Sequence, residues 1–229
     1  MRISEIFYSI QGEGQLIGVP SIFIRTSGCN LRCAWCDTMY SSWSPEGKTC
    51  SIPTILDQIS DFPTHHVVLT GGEPMIAKGI HQLAKDLRDK GYHITIETAG
   101  TIAPEGIACD LASISPKLSH STPTADQIDP SWVKKHDERR LQPMILRSWI
   151  EQGDYQLKFV TDGDDLVEIG DLLSQLGEIP AEKVLLMPEG ITPEQLQSRI
   201  PGVIAACKER GFRFCPRLHI DLFGNTPGT

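Results

Sequence analysis

Apolar and polar positions along this chain follow two alternating rhythms. Short apolar runs of strand length stand at residues 21–26, 66–70, 92–97, 107–112, 155–160 and 183–187. They are rich in Ile, Val, Leu and Phe, and most are bounded by residues that favour turns. Helical periods separate most of them. Residues 79–90 place Ile80, Leu83, Ala84 and Leu87 at i, i+3, i+4 and i+7, with Gly91 as the stop. Residues 164–176 gather Leu166, Ile169, Leu172, Leu173 and Leu176 on one side. Residues 138–151 read as a helix that carries Pro143 near its first turns. Thr192, Pro193 and Gln195 open another helix with a cap, a proline at its first position and a glutamine three residues on from the cap. Pro201 should break or kink that helix before Gly211 ends it. Residues 120–130 read as a loop, and residues 212–223 are expected to contain the last strand.

This alternation implies an α/β fold of parallel strands joined by crossover helices. The number of units is nearer six than eight, which points to an open partial (β/α)6 barrel; a flavodoxin-like open sheet satisfies the same periodicity. In either architecture the chemistry sits on loops at the C-terminal ends of the strands. The segment following residue 26, the turns Gly71-Gly72-Glu73-Pro74 and Glu97-Thr98-Ala99-Gly100, Ser115-Pro116-Lys117 and Met187-Pro188-Glu189 all fall there. The whole chain, 1–229, reads as one domain, with an N-terminal extension of about 20 residues and a long loop over residues 28–50.

Composition narrows the classes. A net charge of −8 argues against non-specific binding to nucleic acid or to an anionic membrane. No apolar run reaches the length of a membrane span, and the N-terminus lacks the apolar core of a signal peptide, so the cytoplasm is expected. Seven cysteines, three of them inside one short motif, suit a reducing compartment better than a disulfide framework. Cys50, Cys109, Cys207 and Cys215 are scattered and read as small buried side chains.

Cys29, Cys33 and Cys36 are spaced C-x3-C-x2-C. Three close thiolates can hold three corners of a four-iron cluster and leave the fourth iron open to a ligand. A structural zinc site completed by Cys50 or a histidine is the competing reading, weakened by the lack of a second C-x2-C knuckle. Glu73, after two glycines, can accept from an ammonium group. Lys117 can meet a carboxylate. Arg25, four residues before Cys29, needs an anion, either a structural carboxylate or one on a substrate. The Thr38 hydroxyl suits a hard cation, with a helix cap as the simpler role. Gln11 and the glycine backbone around it suit a flat heterocycle; the spacing of Gly12, Gly14 and Gly18 is not a dinucleotide fingerprint. His219 should reach the barrel mouth on the final strand, whereas His65, His66, His81, His93, His120 and His136 have no comparable setting.

The cysteine spacing together with Gly-Gly-Glu resembles the radical S-adenosylmethionine (SAM) superfamily. Gln11-Gly12-Glu13-Gly14, Arg25 before Gly28-Cys29-Asn30-Leu31, Trp35-Cys36-Asp37-Thr38, Ser115-Pro116-Lys117 and Arg217-Leu218-His219-Ile220 bring the resemblance to the 7-carboxy-7-deazaguanine synthase family. That resemblance spans nearly the whole chain and implies a partial barrel. It implies a carbon–nitrogen lyase that contracts the ring of 6-carboxy-5,6,7,8-tetrahydropterin in queuosine biosynthesis, with a 4Fe-4S cluster, SAM and Mg2+ as cofactors. Cys29, Cys33 and Cys36 would hold the cluster and Thr38 the magnesium ion. Trp35, Asp37, Gly72, Glu73, Ser115, Pro116, Lys117, Met187, Pro188 and Glu189 would hold SAM. Ile10, Gln11, Gly12, Arg25, Thr70, His219 and Asn225 would contact substrate, and Glu97 would face the reacting ring. A homodimer and a reductant such as a flavodoxin or ferredoxin are also implied. A glycyl-radical-enzyme activating enzyme shares the cysteine spacing, but the motifs around Gln11 and Thr38 oppose it. A non-catalytic zinc-stabilised module is the rival of another class.

Overall fold

The computed structural model describes all 229 residues. In chain order the elements are β1 (Arg2–Ile10), β2 (Pro20–Thr26), β3 (Lys48–Thr49), α1 (Ile52–Ile59), β4 (His66–Gly71), α2 (Ile80–Asp89), β5 (His93–Thr98), β6 (Leu111–Ile114), α3 (Pro130–Arg139), α4 (Pro143–Gln152), β7 (Tyr155–Thr161), α5 (Leu166–Leu176), β8 (Val184–Pro188), α6 (Pro193–Arg210), β9 (Arg213–Phe214) and α7 (Leu218–Phe223).

All nine strands join one sheet in the order β3-β1-β2-β4-β5-β6-β7-β8-β9. From β2 to β9 every pairing is parallel and follows sequence order. A sheet in which each new strand adds beyond the last has no topological switch point, so the flavodoxin-like order is excluded. Such a sheet curls toward a barrel with its helices on the outside. Here it does not close: β3 and β9 are its two edges. The expected partial (β/α)6 barrel is the fold, with β9 as a two-residue addition beyond its six full parallel strands.

The period-two alternation of the strands sorts the residues. Ile22, Ile24, Val67, Leu69, Ile94, Ile96, Leu157, Phe159, Val184 and Leu186 face outward and are buried in one core with Ile55, Leu83, Leu87, Trp149, Ile169, Leu172 and Val203 of the helices. The intervening positions, among them Arg25, Thr70, Glu97 and Lys158, face the barrel interior and line its cavity.

Several elements depart from the sequence reading. The N-terminal extension, for which no strand was expected, contains a nine-residue strand, β1, antiparallel to β2. The strand expected at 107–112 begins at Leu111, because Asp110 is spent accepting the Ile94 N–H at 2.8 Å. Residues 138–151 do not form one helix: α3 already starts at Pro130, inside the expected loop, and Pro143 opens α4 at a position where its missing N–H costs nothing. Pro201 does not break α6, which runs from Pro193 to Arg210. The next residue, Gly202, lies so close to the loop after β7 that a Cβ there would come 2.7 Å from the Asp162 carbonyl oxygen. The last strand stops at Phe214, and His219 lies on the short helix α7. Pro216 cannot donate to a ladder, and the Leu218 N–H is taken by the Gly12 carbonyl at 2.9 Å.

Candidate active site

The C-terminal ends of the parallel strands open into a cavity of about 510 Å³. Cys29, Cys33 and Cys36 lie on the loop that leaves β2, and all three line this cavity. All are free thiols. Cys36 Sγ lies 3.0 Å from Ser42 Oγ, and the Leu31 N–H donates to Cys29 Sγ at 3.4 Å. Burial pushes the Cys29 and Cys33 thiols up to about 12, so a metal must displace those protons on binding. Cys50 does not line the cavity, and its thiol faces the Lys48 carbonyl instead, so it is not placed as a fourth ligand.

The donor set fits a site-differentiated cluster: three thiols on one cavity wall, with no fourth cysteine beside them. The loop is held close to the sheet. A Cβ on Gly72 would stand 2.3 Å from the Gly28 carbonyl oxygen and 2.7 Å from Cys29 Cβ, so only glycine allows this approach. His136 of α3 supports the loop from behind. Its Nδ1 accepts the Arg32 N–H at 3.0 Å, and its Nε2 lies 3.1 Å from Ser121 Oγ, which donates onward to the Leu118 carbonyl. Burial pushes this imidazole down to about 4, so the ring is neutral and carries its proton on Nε2.

Trp35, Asp37, Gly72, Ser115, Lys117, Met187 and Glu189 line the part of the cavity beside the cysteines. Lys117 Nζ donates to Ser115 Oγ at 2.7 Å and lies 5.3 Å from the Trp35 ring centroid. Three residues expected with them do not line it: Glu73, Pro116 and Pro188. Pro188 is the last residue of β8 rather than part of the loop. Glu73 is fully buried, and its carboxylate accepts from Thr98 Oγ1 at 2.8 Å, the Ala99 N–H at 2.9 Å and the Met75 N–H at 3.1 Å. It therefore braces the end of β4 against the end of β5. Burial raises its pKa despite these donors.

Ile10, Gln11, Gly12, Arg25, Thr70, Glu97, His219 and Asn225 line the same cavity. The Gln11 turn packs on α7 so closely that a Cβ on Gly12 would stand 2.2 Å from His219 Nδ1. Arg25 has a structural carboxylate: its Nε donates to Glu5 Oε1 at 2.6 Å, which Tyr40 also reaches at 2.7 Å. Only Nε is used, so the two terminal nitrogens of the guanidinium are left for a second anion. Thr38 precedes the turn Met39–Ser41 but its side chain caps nothing, and its hydroxyl, 3.9 Å from Cys36 Sγ, lines the cavity. Asn225 Nδ2 donates to the Asp37 carbonyl at 3.5 Å, and the last residues of the chain line the same mouth.

A buried chain of charges along the cavity was not anticipated. Lys158 donates to Glu97 Oε2 at 3.0 Å and to Glu13 Oε2 at 2.5 Å. Arg217 donates to Glu13 Oε1 at 3.1 Å and pairs with Asp37. Burial alone would raise Glu13 and lower Lys158; the neighbouring opposite charges outweigh it, holding Glu13 well below the usual carboxylate range and Lys158 above the usual lysine range. The signals in the sequence were a lysine at the centre of an apolar strand and an arginine two residues before His219.

The model of the radical SAM superfamily matches residues 23–145, more than half of the chain. A 7-carboxy-7-deazaguanine synthase of Rhodopirellula baltica is 51% identical over 231 residues, covering 100% of this chain and 89% of that protein. The enzyme of that name from Halobacterium salinarum is 45% identical, covering 100% and 93%. The crystal structure of QueE from Escherichia coli superposes with a TM-score of 0.70 at 26% identity, covering 95% of this chain and 94% of that one. With the cysteine loop, the open barrel and these full-length relatives in agreement, the chain belongs to the radical SAM superfamily and, within it, to the 7-carboxy-7-deazaguanine synthase family.

Proposed function

We propose that this enzyme converts 6-carboxy-5,6,7,8-tetrahydropterin to 7-carboxy-7-deazaguanine and ammonia, with Mg2+ at Thr38 and as a homodimer reduced by a flavodoxin or ferredoxin in the cytoplasm. The names of its relatives support the product. The observation that carries the reading is one cavity lined by two chemically distinct sets of residues: three cysteines with Trp35, Asp37 and Lys117, and Gln11, Arg25, Thr70, Glu97 and His219.

Cys29, Cys33 and Cys36 would hold the 4Fe-4S cluster and leave one iron for SAM. A reduced cluster held there would supply one-electron reduction of the SAM sulfonium. The remaining work belongs to the side chains. Lys117 offers an ammonium to the SAM carboxylate, and Trp35, Asp37, Met187 and Glu189 enclose the rest of SAM. The free terminal nitrogens of Arg25 orient the pterin carboxylate in a bidentate fashion. Gln11, the Gly12 backbone and His219 fix the ring, and burial pushes His219 down so that its imidazole is neutral and can accept as well as donate. Lys158 holds the Glu97 carboxylate at a set position beside the ring. Holding the reacting carbon next to the radical, away from other hydrogen donors, is the main contribution a protein can make here.

The test is anaerobic reconstitution with iron and sulfide, followed by incubation with the carboxypterin, SAM, a reductant and magnesium. Mass spectrometry should find 7-carboxy-7-deazaguanine. Deoxyadenosine without any deazapurine would overturn the substrate assignment, and a colourless zinc protein would overturn the enzyme assignment.

A further inference from the structure

His120 belongs to none of the motifs and does not line the cavity, yet it meets two groups that do. Its ring stacks on Trp35 with centroids 5.7 Å apart and planes inclined by 27°. Its Nδ1 lies 3.3 Å from Asp165 Oδ1 and its Nε2 lies 3.8 Å from Glu189 Oε2. Both ring nitrogens are buried, and neither has an aligned hydrogen bond. One side chain thus joins three separate parts of the barrel rim: the cysteine loop through Trp35, the start of α5 through Asp165, and the end of β8 through Glu189.

The charges around this ring are unequal. Asp165, Glu189 and Asp162 face it from the segments after β7 and β8. Of the nearby cations, Arg199 shares Glu189 with the ring, pairing with its other oxygen at 3.1 Å, and Lys117 lies over the Trp35 ring, so Asp165 is left with His120 as its cationic partner. The Asp165 carboxylate is anchored by Thr161 Oγ1 at 2.7 Å and the Glu189 carboxylate by Arg199 at 3.1 Å, while the Glu189 N–H donates to the Thr161 carbonyl at 3.2 Å and ties the two segments together. A neutral imidazole would satisfy at most one of them as a donor. A protonated ring offers an N–H to each.

We propose that His120, as an imidazolium, is a positioning residue for the SAM side of the cavity: it backs the Trp35 indole and ties it to Asp165 at the start of α5 and to Glu189 after β8. This rests on the assignment of SAM to the Trp35 side. Asp165 accounts for most of the upward shift of His120, against the opposing effect of burial. The bracket is therefore complete while the ring is protonated and is lost as pH rises through the His120 pKa, which Asp165 raises from its ordinary value.

The experiment is equilibrium binding of SAM to anaerobically reconstituted enzyme from about pH 6 to about pH 9, for the wild type, H120F and H120R. Phe keeps the stacking surface and removes the charge; Arg keeps a charge that does not titrate. Quoting each variant's Kd as a ratio to wild type at the same pH cancels the titration of SAM itself. The H120F ratio should be roughly tenfold at the acid end and fall toward one at the alkaline end. The H120R ratio should begin near one and fall below it. An H120F ratio that is flat with pH, or equal to one throughout, would overturn the role of His120. Wild-type enzyme that binds no SAM at any pH would instead overturn the site assignment on which the proposal rests. If H120F failed to fold, the H120R ratio alone decides: an unchanging ratio sinks the proposal.

Discussion

The ammonium of Lys158 lies 3.0 Å from the carboxylate of Glu97, with only 3% of the lysine side chain exposed. Its other partner is Glu13 of the N-terminal turn. Lys158→Met would leave two carboxylates in the barrel with one cation fewer. Removing one partner of a buried pair costs about 3–5 kcal/mol. We expect a loss of that order in urea unfolding of the variant, together with loss of deazapurine formation. The double variant K158M/E97Q should recover part of the stability while remaining inactive, because the uncompensated charge is reduced but the positioned carboxylate is gone. Recovery of activity in the double variant would show that Glu97 is only a structural counterion.

Thr38 has no capping bond to lose. Thr38→Ala should therefore leave thermal stability and the iron and sulfide content near wild type and abolish the stimulation of turnover by magnesium. Unchanged metal dependence would refute its assignment as a metal ligand.

Gly72 is the tightest point under the cysteine loop. In Gly72→Ala the added carbon would meet two backbone carbonyl oxygens, of Gly28 and Ser41, at 2.3 and 2.6 Å. Neither atom belongs to a flexible side chain, so the loop must move. Iron content after reconstitution should fall by at least about half, by analogy with core overpacking costs of roughly 1–3 kcal/mol. Full cluster occupancy in this variant would show that the loop has more freedom than its packing suggests.

His136 gives a dependence on pH with a defined sign. Its pKa lies at about 4 in the folded chain against about 6.5 in the unfolded chain. The unfolded state binds more protons between these values, so the contribution is full above about pH 6.5 and is lost as pH falls toward 4. His136→Gln, which keeps an acceptor and a donor but does not titrate there, should flatten the stability profile in that window. A wild-type profile equally flat would mean that the ring is not held neutral.

Much of this fold could be read from the chain alone. Strands such as residues 66–70 and helices such as Ile80–Asp89 declare themselves because burial on one face imposes a period, and the period survives in the sequence. The cysteine loop was legible for a related reason: its ligands are close in sequence, so their spacing carries the chemistry. The nine-residue strand β1 was not legible because a register shift between Ile3 and Glu5 breaks its alternation, and the helix around His219 because the Gly12 turn it packs on lies at the other end of the chain.

Tertiary structure alone decided the charges and the second layer of the site. Glu13, Lys158, Glu97, Arg217 and Asp37 lie up to 204 residues apart between bonded partners, and no local pattern records their meeting. Glu73 reads as a ligand group in its motif, and only the packing of β4 beside β5 brings Thr98, Ala99 and Met75 to its carboxylate. His120 and His136 look ordinary in sequence, and their roles come from the carboxylates, the indole and the backbone N–H brought against them. Periodicity is a local consequence of burial, whereas the pairing of buried charges depends on which strand ends the barrel gathers at one mouth.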